Sequence, residues 1–229
     1  MPGERLASAV KRIPEATVVR LPVYRRILSG LLDEDRRTVH SEQLAELAQL
    51  TAAKVRKDLS LLGSFGTRGT GYDVEFLLTQ IDRALGAEDD WPVIVVGIGN
   101  LGTALVNSES FGTRGFRIFA LYDADPEVIG RQVGGLVVRS IAELGRVNGL
   151  GASAIGVVAT PADVAQGVTD ALVKAGVTAI LNFAPEVLTV PDDVQLRHVD
   201  LGTELQVLSF FQLRRRAERH GPFDNGGRP

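Results

Sequence analysis

Three observations predict an α/β chain built in two parts. A capped helix–turn–helix spacing occupies residues 41–62, strand-like and helix-like segments alternate from residue 93 onward, and a Gly-x-Gly-x-x-Gly sits at the first strand-to-helix junction, Gly97 to Gly102. The 229 residues, 45% of them hydrophobic, suffice for two modest cores. There is no cysteine, so neither a disulfide framework nor a cysteine zinc site is available, and no metal is expected. No stretch approaches the ~18 apolar residues of a membrane helix, and the first residues lack the apolar core of a secretory leader. A cytoplasmic protein without a membrane partner is the expectation.

The elements follow in chain order. Between Ile13 and Leu32 the apolar residues Val18, Leu21, Ile27, Leu28 and Leu31 recur at helical spacing, with Pro22 opening the second part, which predicts one or two helices. Ser41 before Glu42-Gln43-Leu44 reads as a helix cap with an acid in the first turn. Gln49-Leu50 makes the turn, and Thr51 caps a second helix from Ala52 to about Leu62 with Val55, Leu59 and Leu62 on its apolar face. The segment Gly63 to Tyr72 reads as a glycine-rich hairpin tip, and Val74 to Leu85 as a further helix. Together these predict an N-terminal winged helix-turn-helix domain over residues 1–86.

After the acidic linker Gly86–Asp90 the composition shifts to Val/Ile runs. Val93–Val96, Ile118–Tyr122, Ile155–Ala159 and Ala179–Phe183 read as strands, with residues 101–108 and 162–175 helical between them. That alternation predicts a Rossmann-like, doubly wound parallel sheet over residues 91–200. Residues 201–219 form a last helix striped by Leu201, Leu205, Leu208 and Phe211, and residues 220–229 read as a disordered tail.

The glycine motif carries chemistry because of where it stands. Gly97-Ile98-Gly99-Asn100-Leu101-Gly102 leads from a strand into a helix: Gly97 permits the tight turn, Gly99 the approach of a pyrophosphate, and Gly102 close packing of helix on strand. Asp123 follows 21 residues after Gly102 at the end of the second strand, where a carboxylate accepts bonds from a ribose and repels a 2′-phosphate, so NADH and NAD⁺ are favoured over their phosphorylated counterparts. Thr160-Pro161 and Asn182-Phe183-Ala184-Pro185 end later strands and are candidate walls of the nicotinamide pocket, although proline after a strand is also ordinary turn chemistry. The acid–base candidates Tyr122, Lys174, His198 and His220 form no convincing set for hydride transfer, which predicts a cofactor reader and not an enzyme.

Residues 1–85 hold 13 Lys/Arg against 11 Asp/Glu, and residues 86–229 hold 12 against 17. The balance is too slight to establish nucleic-acid binding, so placement decides. Lys54, Arg56, Lys57 and Ser60 lie off the apolar face of the second helix of the helix–turn–helix, positioned for a major groove. Ser64, Arg68 and Gly69 belong to the glycine hairpin, Arg68 being a long cation suited to a minor groove. A solvated charged face is the bland alternative; the capped helix before it and the hairpin after it favour double-stranded DNA.

Five motifs occur here in one order: Ile13-Pro14-Glu15-Ala16-Thr17, Val55-Arg56-Lys57-Asp58-Leu59-Ser60, Gly66-Thr67-Arg68-Gly69, Val96 to Gly102, and Leu181-Asn182-Phe183-Ala184-Pro185. With them the chain resembles the Rex family of bacterial redox-sensing transcriptional repressors over about residues 13–213. The resemblance implies a homodimer whose C-terminal helix swaps between subunits, an operator of inverted-repeat half-sites, DNA binding with NAD⁺ or no nucleotide, and release by NADH. It also implies an inter-subunit ion pair between Arg26 and Asp200. One position departs from the family: where most relatives carry a tyrosine, this chain has Ser108 followed by Glu109. Two other readings are an NAD-dependent oxidoreductase with an accessory N-terminal domain and a co-repressor adaptor that uses the winged helix for protein contacts.

Overall fold

A computed structural model describes residues 13–63, 71–112, 114–146 and 153–220. The chain divides into two compact units, Met1–Asp90 and Trp91–Pro229.

In the first unit α1 (Glu15–Val18) leads into α2 (Leu21–Asp33), which carries Pro22 in its first turn, where the missing N–H is not needed. Leu21, Tyr24, Leu28 and Leu31 all face inward from α2 and pack with Val74, Leu77 and Ile81 of α5 (Val74–Leu85). Asp73 caps α5, its Oδ1 accepting from the Phe76 N–H at 2.7 Å. Two short strands, β1 (Thr38–Val39) and β2 (Tyr72–Asp73), pair antiparallel. Neither was evident in the sequence, because two-residue strands have no periodicity to read.

The helix–turn–helix is α3 (Ser41–Leu47) and α4 (Ala52–Ser60). Its turn is a Schellman motif made without glycine: Gln49 takes a left-handed φ of 55°, the Gln49 N–H donates to Glu46 O and the Leu50 N–H to Ala45 O. The cap expected at Ser41 is corrected by one residue. His40 is the residue before the helix, its N–H donating to Gln43 Oε1, while the Ser41 hydroxyl meets Arg56 of α4. Thr51 caps α4 as expected, accepting from the Lys54 N–H at 3.3 Å.

The second unit is a seven-stranded sheet in the order β5-β6-β4-β3-β7-β8-β9 among the described residues. Its strands are β3 (Trp91–Val96), β4 (Phe116–Asp123), β5 (Gln132–Val133), β6 (Leu136–Ser140), β7 (Ile155–Val158), β8 (Ala179–Asn182) and β9 (Gln195–His198). All neighbours are parallel except β5 with β6. Ile94, Val96, Tyr122 and Val158 pack on one face beneath α8 (Ala162–Lys174), whereas Val93, Val95, Leu121 and Val157 pack on the other with Val106 of α6 (Asn100–Val106). A central strand buried on both faces has no alternation to show, which is why β3 reads as a plain Val/Ile run. A short α7 (Glu109–Gly112) follows α6, and Ser108 lies between them instead of ending a helix over 101–108. The last helix, α9 (Leu201–His220), is exposed along its length, with Leu205 and Phe210 each over 60% accessible.

Candidate functional site

Strand order reverses at β3, whose neighbours are β4 on one side and β7 on the other. Ligands of open α/β sheets bind at such a reversal, outside the carboxyl ends of the strands. There the Gly97 N–H donates to Tyr122 O at 2.9 Å and Gly97 takes a φ of 94°. A Cβ on Gly97 would stand 2.6 Å from Ala159 O, and one on Gly102 would fall on the Gly97 carbonyl oxygen. Gly99 differs: nothing lies within 4 Å of its Cβ position, so its lack of a side chain serves open space and not packing. Asn100 and Leu101 are exposed beside it at the first turn of α6, whose N–H groups have no intrahelical acceptor. Ile98 is buried in the core on that face of the sheet.

Asp123 does more than the sequence suggested. Its Oδ2 accepts from the Ile98 N–H at 2.6 Å, and its Oδ1 accepts from Ala124 N–H at 2.7 Å and Asp125 N–H at 2.9 Å. The carboxylate therefore braces the glycine turn. An ionised carboxylate has about four acceptor sites, so capacity remains for one ribose hydroxyl.

Across the strand ends, Thr160 is partly buried and its Oγ1 has no hydrogen-bond partner among the described residues. Its Cγ2 lies beside Gly97, which places the orphaned hydroxyl at the same strand reversal. Pro161 precedes α8 and is exposed. The space at Gly99 and the free N–H groups of α6 fit the pyrophosphate of a dinucleotide, and the partnerless Thr160 hydroxyl offers a polar contact beside them to the rest of the ligand.

The Asn182–Pro185 loop divides between two jobs. Asn182 is fully buried and its amide is spent within the protein: Oδ1 accepts from the Ala184 N–H at 2.8 Å, and Nδ2 reaches Ala184 O, Glu186 O and His198 Nδ1. Ala184 is also buried. The side chains of Asn182 and Ala184 therefore shape the loop, leaving half-buried Phe183 and exposed Pro185 as its outward surface.

In the first unit Lys54, Arg56, Lys57 and Ser60 are all exposed on α4. Two have local duties as well: Arg56 Nη1 donates to Ser41 Oγ and Glu42 Oε1, each at 2.9 Å, and the Ser60 hydroxyl donates to Lys57 O. Ser64, Arg68 and Gly69 lie outside the described residues, as does the chain from residue 221. Arg26 is exposed on α2. Asp200 caps α9, accepting from the Thr203 hydroxyl and from the N–H groups of Gly202 and Thr203, bonds that hold its carboxyl below the usual range.

Sequence reasoning missed what orients α4. Asp58 sits on its buried side, 2% exposed, and accepts from Arg20 Nε and Nη2 at 2.6 Å each, Tyr24 Oη at 2.8 Å and Thr17 Oγ1 at 3.0 Å. Burial alone would raise the Asp58 carboxyl, but the hydrogen bonds from Arg20, Tyr24 and Thr17 outweigh it and hold the group below its ordinary value. The signal was present: an acid on an apolar helix face, and Thr17, Arg20 and Tyr24 spaced at helical intervals.

Residues 12–60 match the family model described as "Putative DNA-binding protein N-terminus", and residues 88–186 match the CoA binding domain. A relative from Streptomyces avermitilis, the redox-sensing transcriptional repressor Rex, is 56% identical over 93% of this chain and 85% of its own length. The chain belongs to the Rex family. Among solved structures, RSP in complex with β-NADH matches with a TM-score of 0.82 and 33% identity, covering 91% of this Rex-family chain and 98% of RSP. RSP in complex with β-NAD⁺ and operator DNA matches with a TM-score of 0.81 and 34% identity, covering 92% and 99%. The α/β fold, with an N-terminal DNA-binding domain and a Rossmann-like domain, agrees with these relatives. Among the described residues no helix is long and apolar enough to cross a membrane, and no cluster of three or more His, Cys, Asp or Glu could hold a metal.

Proposed function

We propose that this chain is a redox-responsive transcriptional repressor that binds an inverted-repeat operator as a homodimer and releases it when NADH occupies the dinucleotide site. The observation that carries the reading is the union, in one Rex-family chain, of an exposed lysine-bearing helix after a helix–turn–helix turn and a glycine cradle with open space at Gly99 and an unsatisfied hydroxyl at Thr160. The capture of RSP with β-NADH, and separately with β-NAD⁺ and operator DNA, supports it.

In this reading residues 1–86 are the winged-helix domain and contact DNA through Lys54, Arg56, Lys57, Ser60, Ser64, Arg68 and Gly69. Residues 91–200 hold NAD(H), with Gly97 to Gly102 at the pyrophosphate, Asp123 at the ribose, and Thr160, Pro161 and the Asn182–Pro185 loop toward the nicotinamide. Bound nicotinamide brings a ring that is positively charged when oxidised and neutral when reduced. An apolar wall at Phe183 and Pro185 favours the neutral ring, because desolvating a charge is costly. Helix 201–219 exchanges between subunits, which gives its exposed Leu205, Leu208, Phe210 and Phe211 a partner to cover them. Arg26 and Asp200 pair across that dimer. No turnover is expected: the Tyr122 side chain is buried on the α8 face, and His198 Nδ1 is engaged by Asn182. The cytoplasm is the expected compartment.

Fluorescence anisotropy of a labelled inverted-repeat duplex tests the proposal. Release by NADH at fixed NAD⁺ and salt, without release by NADPH, is expected; binding indifferent to NADH contradicts it.

A further inference from the structure

His198 has no part in the nucleotide or DNA contacts assigned so far. It ends β9, the edge strand, and is the register partner of Asn182 at the end of β8. The orientation of the Asn182 amide is fixed, because the Ala184 N–H can donate only to an oxygen, which makes the 2.8 Å partner Oδ1 and leaves Nδ2 as the NH₂ group. That NH₂ lies 2.9 Å from His198 Nδ1, closer than to Ala184 O at 3.2 Å or Glu186 O at 3.1 Å. A group with only protons to give requires an acceptor opposite it. His198 therefore takes part as the neutral imidazole with its proton on Nε2, and protonation at Nδ1 would set two donors against each other across 2.9 Å.

Charged groups reach the surroundings of His198 from its own strand and from the loop after β8. Asp200 follows two residues on, and its carboxylate is engaged by Gly202 and Thr203 at the start of α9. Arg197 precedes His198 on β9, where strand alternation sends neighbouring side chains to opposite faces. From the β8 side and its following loop come the uncharged Asn182 amide and Glu186, whose carbonyl shares that amide and whose side chain is exposed. His198 is itself exposed, so its proton exchanges with solvent.

We infer that His198 is a positioning residue for the dinucleotide site: its neutral form fixes the Asn182 amide, and through it the Phe183–Pro185 wall, so acidification loosens the wall and weakens nucleotide binding. This rests on the reading that the loop faces NAD(H). Loss of one such hydrogen bond is worth about 1 kcal/mol, or roughly three- to tenfold in affinity.

The test is NADH affinity of the full chain, measured by nicotinamide fluorescence at pH 8 and pH 6. The wild-type protein should weaken several-fold at the lower pH. His198→Asn keeps an acceptor at the position of Nδ1 that cannot take a proton, and should bind at both pH values like the wild type at pH 8. His198→Ala should be weak at both. The Asn182 side-chain NH₂ resonances, followed by NMR without nucleotide, should titrate in the wild type and not in His198→Asn. Equal pH dependence in wild type and His198→Asn, or tight binding by His198→Ala, overturns the inference, as does an Asn182 signal that does not titrate. An Asn182 signal that titrates in protein unable to bind NADH at either pH sinks the site reading and, with it, the link to nucleotide, while the His198–Asn182 coupling stands.

Discussion

Arg20 grips Asp58 with two hydrogen bonds of 2.6 Å, tying α4, the helix proposed to enter DNA, to the junction of the two helices that precede the helix–turn–helix. Tyr24 and Thr17 complete the shell around the carboxylate. A helix that presents Lys54 and Lys57 outward is thus held from behind by a nearly buried ion pair, whose partners lie 38 residues apart in sequence.

Asp58→Ala leaves the Arg20 guanidinium and the Tyr24 hydroxyl without their shared acceptor. Breaking a buried pair by removing one partner costs about 3–5 kcal/mol. Urea unfolding followed by circular dichroism should show a loss near the lower end, since Arg20 is 19% exposed, and operator affinity should fall with it. A loss below about 1 kcal/mol would mean that the pair does not organise α4.

The same pair has a pH signature. The folded Asp58 carboxyl sits below its ordinary value, so its contribution is fully present above the unfolded value of about 3.9 and is lost as pH falls through the folded one. The stability gap between wild type and Asp58→Asn should therefore be constant from pH 7 to about pH 5 and shrink below about pH 4. A gap that widens in acid has the wrong sign for this assignment.

Gln49 holds the helix–turn–helix turn at a φ of 55° where most turns of this kind carry glycine. Relief of the left-handed cost, roughly 1–2 kcal/mol, outweighs the added freedom of an unfolded glycine, roughly 0.5–1 kcal/mol. Gln49→Gly should raise stability by about 0.5–1 kcal/mol in the same urea experiment, and destabilisation would show that the Gln49 side chain contributes there.

Much of this was legible in the sequence because the signals are local. The turn at Gly97, the cap at Thr51, the apolar stripe of α2 and the long strands each follow from spacing within a dozen residues. Strands β1, β2, β5 and β6 escaped notice because two to five residues at or near a sheet edge carry little hydrophobic pattern. Side-chain economy was the harder part. That Asp123 would brace Ile98, that Asn182 would spend its amide inside its own loop, and that Arg56 would reach back to Ser41 and Glu42 all depend on tertiary neighbours, which no one-dimensional pattern supplies.

Gly99 separates binding from folding. Its backbone is extended, at φ −76° and ψ −158°, and a Cβ there meets nothing, so Gly99→Ala should keep the wild-type melting temperature. If a pyrophosphate approaches this backbone, the methyl group obstructs it and NADH affinity should drop by at least about tenfold, more than 1.4 kcal/mol. Unchanged NADH affinity would place the phosphates elsewhere.

The α4 cations predict distinct salt behaviour. Replacing Lys54 or Lys57 by alanine should reduce the slope of log K against log[salt] by about 1 each if they neutralise phosphates. Arg56→Ala should also loosen α3, through loss of its bonds to Ser41 and Glu42, but because that pair is exposed the stability change should stay within about 1 kcal/mol. Slopes equal to the wild type would remove these lysines from the DNA interface.

Reciprocity makes the coupling between NADH and operator measurable from the nucleotide side. NADH affinity is determined by fluorescence with and without saturating operator duplex, at one salt concentration. If NADH and DNA select different states, operator must weaken NADH by the same factor that NADH weakens operator, and a factor near 100 corresponds to about 2.7 kcal/mol. Matching factors well above one are expected; an NADH dissociation constant that is the same with and without operator would rule out release driven by NADH.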